Sequence, residues 1–255
     1  MRPGTRGKKM ALNKQDLING FCKAGINKGD EIEVHSSLSS FGYVDGGAET
    51  VISALKEAVG DNGSIFMPAL RLSPELPLTE EDKKAGITSK IKILPENRTH
   101  SAMGIIADTF RMMPDTVTGD GIFAVSGWGR NANEAAKGGL DYVIKHGGKA
   151  LLLGVNIYKL TAMHYAEDIL PERIRKLFAP SSEIQKKYPP EEWFIEAGEP
   201  PVKPWYAIQA QAYEKGLIRE GYIGSCKYMC FGIWDVVGLY RQALETDPLG
   251  LYGLR

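Results

Sequence analysis

The run Ala150-Leu151-Leu152-Leu153-Gly154-Val155 leads straight into Asn156-Ile157-Tyr158-Lys159-Leu160-Thr161-Ala162-Met163-His164-Tyr165-Ala166-Glu167. A short apolar run closed by glycine reads as a buried strand, and the polar loop and helix start behind it place side chains at the carboxyl edge of a sheet. Open α/β sheets bind ligands at that edge. Thr161 has the chemistry of a helix cap, which sets His164 in the first turn and Glu167 three residues on, on the same face. A helix start disfavours imidazolium and so keeps His164 neutral, while a carboxylate beside it orients the ring and stabilises the cation once a proton arrives. His164 is therefore a candidate base with Glu167 as its partner. The plainer alternatives are a hydrogen-bonded structural histidine and a glutamate facing solvent.

On either side of this stretch, helical and strand patterns alternate. Asn13 to Ala24 carries a capping residue, apolar Leu17, Ile18 and Phe21 at helical spacing, and Gly25 as a stop. Ile32 to Val34 reads as a strand, Ala48 to Val59 as a helix, Ser64 to Met67 as a strand and Ala102 to Met113 as a helix. Gly148 to Val155 supplies another strand, Pro204 to Lys215 a helix, Leu217 to Phe231 one or two strands, and Trp234 to Glu245 a closing helix. The pattern predicts an α/β fold, a three-layer α/β/α sandwich around a largely central mixed sheet. Residues 11–255 form one domain in this reading, interrupted by two insertions at about 71–98 and 181–204 that are dense in Pro, Glu and Lys. Long irregular insertions are usually mobile surface or substrate lids.

Composition narrows the classes. The chain has 255 residues, 43% of them hydrophobic, enough for one large core. Its 31 basic and 31 acidic residues cancel, and no basic cluster is interleaved with aromatics, so no nucleic-acid partner is expected. No run approaches the ~20 apolar residues of a membrane helix, and no membrane partner is expected. Residues 1–10 are basic without an apolar segment behind them and read as a disordered extension or an appended remnant, neither signal peptide nor anchor. Three cysteines, Cys22, Cys226 and Cys230, are too few for a disulfide framework and suit a reducing cytoplasm. The Cys-x-x-x-Cys pair lacks a second ligand pair, so buried structural thiols are favoured and no metal is expected.

A second segment lies near the N-terminus: Val34-His35-Ser36-Ser37-Leu38-Ser39-Ser40-Phe41-Gly42-Tyr43-Val44-Asp45-Gly46-Gly47. Its His-Ser-Ser-Leu followed by Gly-x-Val-x-Gly-Gly, together with Thr161-x-x-His164-x-Ala166-Glu167, resembles the aminoglycoside 3-N-acetyltransferase family. Supporting matches are Gly60-Asp61-Asn62-Gly63-Ser64-Ile65-Phe66-Met67-Pro68, the segment Met103 to Pro114, and Gly221-Tyr222-Ile223-Gly224. They fall in the family's order over about residues 12 to 250.

The resemblance implies a CoA-dependent N-acetyltransferase that moves acetyl from acetyl-CoA to an amine of an aminoglycoside, the 3-amino group of 2-deoxystreptamine, and so confers resistance. It implies His164 as catalytic base with Glu167. It also places His35, Ser36, Ser37, Leu38, Ser39, Val44, Asp45, Gly46 and Gly47 along CoA. Backbone N–H groups or hydroxyls of Ser36 and Ser37 would meet the thioester, and the glycines before the next helix would admit phosphate. Read without the family, the serines are ordinary turn hydroxyls, the glycine pair is a common helix entry, and His35 is more structural than catalytic. A cytoplasmic monomer or homodimer acting on CoA and a small amine is expected.

One stretch departs from the pattern. Family members that modify aminoglycosides usually carry Arg-Ser-x-His-Pro-x-x-Ser where this chain reads Val117-Thr118-Gly119-Asp120-Gly121-Ile122-Phe123-Ala124-Val125-Ser126-Gly127-Trp128-Gly129. Acceptor recognition is what this loss affects. It leaves open a different amine acceptor or a catalytically weak, ligand-binding relative. A serine hydrolase built on Ser36 lacks the Gly-x-Ser-x-Gly elbow. Acidic residues in the insertions, Glu75, Glu80, Glu81 and Asp82, then Glu191, Glu192, Glu196 and Glu199, either line a cationic pocket or form solvated faces.

Overall fold

A computed structural model describes residues 11–96, 100–146 and 148–255; the N-terminal extension and the last residues of the first insertion lie outside them. In chain order the elements are α1 (Lys14–Ala24), β1 (Glu31–Ser36), α2 (Gly47–Val59), β2 (Ser64–Leu70), α3 (Glu80–Lys84), β3 (Ser89–Lys92), α4 (Ile105–Arg111), β4 (Val117–Thr118) and β5 (Phe123–Gly129). They continue with α5 (Ala132–Lys145), β6 (Lys149–Leu153), α6 (Glu172–Phe178), α7 (Ser182–Lys187), β7 (Trp193–Glu196) and α8 (Pro204–Glu214). The chain closes with β8 (Arg219–Ile223), β9 (Cys226–Gly232), α9 (Ile233–Thr246) and α10 (Pro248–Leu251).

Seven strands form one mixed sheet in the order β4-β5-β2-β1-β6-β9-β8. Its centre is parallel, β2 with β1 and β1 with β6, and antiparallel strands extend it on both sides. The strands alternate as a two-sided core demands. Ile32, Val34, Ile65, Met67, Leu151 and Leu153 face α1, α2 and α4. Phe66, Ala150 and Leu152 face the opposite layer, made by α5, α8, α9 and the chain around residues 157–169. The expected α/β/α layering is what is seen.

Local signals explain the ends of the best-read elements. Asn13 and Asp16 form a reciprocal capping box at α1, and Gly25, at φ 98°, closes it in a left-handed turn. At the end of β6, Gly154 has φ 69°, and a Cβ there would run into the Ser40 side chain. The glycine that ends the apolar run is therefore required by conformation and by space.

Two elements carry no clear pattern in the sequence. β5 contains Gly127 and Gly129, and α5 is broken at Gly139, whose φ of 57° and ψ of −139° lie outside helical values. The insertions need a larger correction. They are not irregular: β3 of the first pairs antiparallel with β7 of the second, over a small cluster of Ile87, Ile184 and Ile195. Asp82 is fully covered and accepts hydrogen bonds from Lys90 Nζ at 2.5 Å and Tyr188 Oη at 2.6 Å. Those donors hold its carboxyl well below the usual carboxylate range, and the same contact raises the Lys90 ammonium. Residues that look like solvated charges in the sequence thus fasten one insertion to the other.

The main core predicts a specific loss. Leu55 of α2 has no exposed surface. Leu55→Ala should destabilise the protein by about 2–5 kcal/mol, read as a lower urea midpoint with an unchanged slope.

Candidate active site

The segment Thr161–Ile169 is a run of 3-10 helix, and the expected α-helical start capped by Thr161 is not formed. Leu160 occupies the cap position without a side-chain bond, and Met163 N–H donates to Leu160 O. So long a 3-10 run is unusual, and here Ala162, Met163 and Ala166 are fully buried against the layer of α5 and α9. The tighter winding has a chemical effect, because residues three apart eclipse one another in a 3-10 helix. His164 and Glu167 lie directly in line, with Nδ1 and Oε2 2.6 Å apart.

A carboxylate only accepts hydrogen bonds, so Nδ1 carries the proton and Nε2 keeps its lone pair. Glu167 is itself held. Its Oε1 accepts from Tyr240 Oη at 3.1 Å, and Tyr240 and Tyr252 share a 2.6 Å hydrogen bond. Tyr240 comes from α9 and has no exposed surface, while Tyr252 follows α10 and is almost as deeply buried. Burial raises both phenols far above their ordinary range, so they stay protonated donors. Trp205 of α8 packs edge-on to the His164 ring, with centroids 5.0 Å apart, and stacks on Tyr158.

The His164 side chain is 61% exposed because it faces a cleft, although protein surrounds the cleft on several sides. Burial is the largest single influence on its pKa and opposes the cation. The hydrogen bond and charge of Glu167, aided by the charge of Glu196, outweigh it, and the pKa is raised. The expectation that the helix start keeps the imidazole neutral is thereby corrected. Glu196, the last residue of β7, has its own pKa raised by burial and by the charges of Glu167, Glu75 and Glu199, against the pull of His164. The paired insertions thus bring Glu196 to the base and set Glu75 and Glu199 near Glu196. Glu80 and Glu81 instead pair with Lys83 and Lys187 on the surface.

His164 lines a cavity of about 860 Å³ over the carboxyl ends of β1 and β2. Its walls include His35, Ser36, Ser37, Leu38, Ser39, the start of α4 at Gly104 and Ile105, and Tyr158 to Thr161. The two sequence segments therefore meet in one space. Ser37 N–H already donates to Leu153 O at 2.9 Å, which leaves hydroxyls rather than this amide for a ligand. The buried Ser36 Oγ has no hydrogen-bond partner among the described residues. Val44, Asp45, Gly46 and Gly47 do not line this cavity. Val44 is buried in the core and bridges to Leu12, and Asp45 N–H donates to Leu12 O. Gly46 and Gly47 form the uncapped entry of α2. Cys226 and Cys230 are buried free thiols raised by burial to about 11. No group of His, Cys, Asp and Glu among the described residues is arranged to hold a metal.

Tyr240, Tyr252, Trp205 and Tyr158 were not singled out by the sequence. Their aromatic side chains sit at ordinary core spacing, and only the fold brings them to His164.

The model of one family, aminoglycoside 3-N-acetyltransferase, matches residues 34–245. The chain belongs to that family. Among individual proteins it is similar to aminoglycoside N(3)-acetyltransferase III of Serratia marcescens, 27% identical with 87% of this chain and 93% of that protein covered. Among solved structures it shares its fold with AAC-IIIb in a binary complex with CoASH (TM-score 0.67, 18% identity, 92% of this chain and 97% of that one covered). It likewise shares the fold of AAC(3)-IVa in complex with apramycin (TM-score 0.70, 21% identity, 95% and 96% covered).

The protonation of His164 sets a pH signature. A base must be deprotonated, so kcat/KM should rise with pH through a raised histidine pKa, above the ordinary ~6.5. Glu167→Gln removes the charge that favours imidazolium, and the acid limb should move to lower pH while the maximal rate falls. His164→Ala should cost about 10²–10⁴-fold in turnover with CoA binding kept. Rate profiles of the three proteins check this.

Proposed function

We propose that the chain transfers the acetyl group of acetyl-CoA to an amine of an aminoglycoside, the 3-amino group of 2-deoxystreptamine in the family's pattern, with antibiotic resistance as the outcome. The observation that carries the reading is the 2.6 Å His164–Glu167 pair on the wall of a cavity that also meets the His35–Ser39 segment. Relatives in complex with CoASH and with apramycin support both reactants. Glu167 and Glu196 beside His164, with Glu75 and Glu199 near Glu196, suit an acceptor bearing several ammonium groups.

In this mechanism the acceptor amine attacks the thioester carbonyl carbon. Nε2 of His164 takes the proton released as the N–C bond forms, and Glu167 stabilises the imidazolium. The Ser36 hydroxyl, buried and without a hydrogen-bond partner among the described residues, would donate to the carbonyl oxygen as negative charge gathers there. The tetrahedral intermediate then expels CoA thiolate, breaking the C–S bond, and the proton on His164 passes to sulfur. Leu38, Ser37 and Ser39 line the path of the pantetheine arm, and the start of α2 offers phosphate the N–H groups that follow Gly47, whose own N–H donates to Val44 O at 3.1 Å. No helix among the described residues is long and apolar enough to cross a membrane. The reading includes a cytoplasmic monomer or homodimer, and the buried free thiols Cys226 and Cys230 suit a reducing compartment.

A narrower acceptor range is favoured by the region Val117–Gly129. Here Thr118 and Ser126 bond to each other at 2.8 Å, and Ser126 is fully buried, so this strand pair offers no substitute for the absent Arg and His. Thiol release from acetyl-CoA should be measured against kanamycin-, gentamicin- and neomycin-type compounds and simple polyamines. Acetylation should be amine-dependent and weaker for some 2-deoxystreptamine compounds than in relatives that keep the Arg-Ser-x-His-Pro stretch. Uniformly efficient turnover would remove the selectivity argument, and no transfer to any amine would remove the reading.

A further inference from the structure

Tyr158 stands near the base and has no part in the transfer steps above. It lines the main cavity together with Leu160, Thr161 and His164. Its half-buried ring is held between aromatic neighbours, stacked on Trp205 with centroids 4.9 Å apart and edge-on to Tyr206 at 4.7 Å. Trp205 in turn meets the His164 ring, so the phenol and the imidazole share one packing unit. The Tyr158 hydroxyl oxygen accepts from the Trp205 N–H at 3.1 Å, and the Tyr206 N–H acts on it in the same sense. These are among the first N–H groups of α8, which have no partner inside the helix. A hydroxyl carries two lone pairs and one proton. With its oxygen engaged by α8, Tyr158 keeps the proton to give, and no acceptor for it is found among the described residues. Burial pushes the phenol up to about 12, so that proton stays on the oxygen at neutral pH.

We propose that Tyr158 is a specificity-determining residue for the acceptor, its O–H donating to the oxygen on the carbon next to the amine that His164 deprotonates. In 2-deoxystreptamine antibiotics the carbon adjacent to the 3-amino group carries a glycosidic oxygen. An ether oxygen only accepts hydrogen bonds, and Tyr158, its lone pairs committed to α8, is left to donate. Ser36 and Ser37 are given to the thioester, whereas Tyr158 shares its wall of the cavity and its packing with the base, where the amine must lie. The residue thus favours amines that bear a neighbouring oxygen over bare polyamines. The inference rests on the acetyl-transfer reading for the identity of the acceptor, and binding measured without acetyl-CoA tests it apart from that reading.

Tyr158→Phe keeps the ring stack and removes the donor. The KM for kanamycin or gentamicin should rise about 2- to 10-fold, with kcat and the KM for acetyl-CoA nearly unchanged. Calorimetry without acetyl-CoA should show the same loss of affinity for these two compounds, while spermidine, which has no oxygen, should behave alike with both proteins. A second variant separates donation from support of α8. With 3-fluorotyrosine in place of Tyr158, the fluorine makes the O–H a stronger donor and the oxygen a poorer acceptor. The amine KM should then fall below wild type even if Tm drops. The proposal is overturned if Tyr158→Phe leaves the affinity for both antibiotics unchanged, or if it weakens spermidine or acetyl-CoA as much as them. It also falls if 3-fluorotyrosine moves the amine KM in the same direction as Phe. Antibiotic that binds through Tyr158 without being acetylated would sink the acetyl-transfer reading alone, and absence of any binding would remove both.

Discussion

The register between β1 and β6 is the constraint on which the site depends. Five consecutive pairs, Ile32–Lys149 to Ser36–Leu153, run parallel and bring two segments more than 110 residues apart to the same edge. Ser37 N–H continues the ladder by donating to Leu153 O. Because the strands are parallel, both chains leave the sheet at its carboxyl end, one into His35–Ser39 and the other, past Gly154, toward His164. A slip of one residue would turn Glu33 and His35 to the opposite face and Val34 toward theirs. Val34 packs in the apolar layer under α1, α2 and α4, and a slip would bury Glu33 and His35 there in its place.

The base is built by geometry of a different kind. A 3-10 run has weak intrinsic stability, so the alignment of His164 with Glu167 is sustained by packing beneath it and by the hydroxyl chain behind it. Tyr252, Tyr240 and Glu167 form a line of hydrogen bonds from the C-terminal helices to the imidazole. Each phenol in a dry setting remains a donor, so the carboxylate keeps its charge directed at His164. The C-terminal part of the chain thus acts on a residue some 75 positions earlier, with no need to touch a reactant.

How much of this was readable from residues alone follows from which signals are local. The capping box at Asn13 and Asp16, the strand of β6 and its terminal Gly154, and the His164–Glu167 spacing are local patterns, and the structure keeps all three. The type of helix around His164 was not readable, because Thr161 is a good cap by residue type and only tertiary packing selects the tighter winding. Glu196 was visible as one acidic residue among many. Its approach to His164 depends on β3 pairing with β7, two short strands about a hundred residues apart whose charged residues mask their alternation. Asp82 and Lys90, which secure that pairing, read as surface charges. β5 and α5 escaped because Gly127, Gly129 and Gly139 interrupt the periodicities that would have announced them. The paired glycines 46 and 47 were legible as a helix entry, and the structure places that entry outside the cavity His164 lines.

Glu167 fixes the tautomer of His164 and raises its pKa, so that Nε2 is the nitrogen that accepts a proton. The most direct test is a pH titration of the His164 ring nitrogens by ¹⁵N NMR in the wild-type protein. The expected result is a neutral form protonated at Nδ1, with Nε2 titrating above the ordinary histidine value of ~6.5. A neutral form protonated at Nε2, or a midpoint at or below that value, would contradict it.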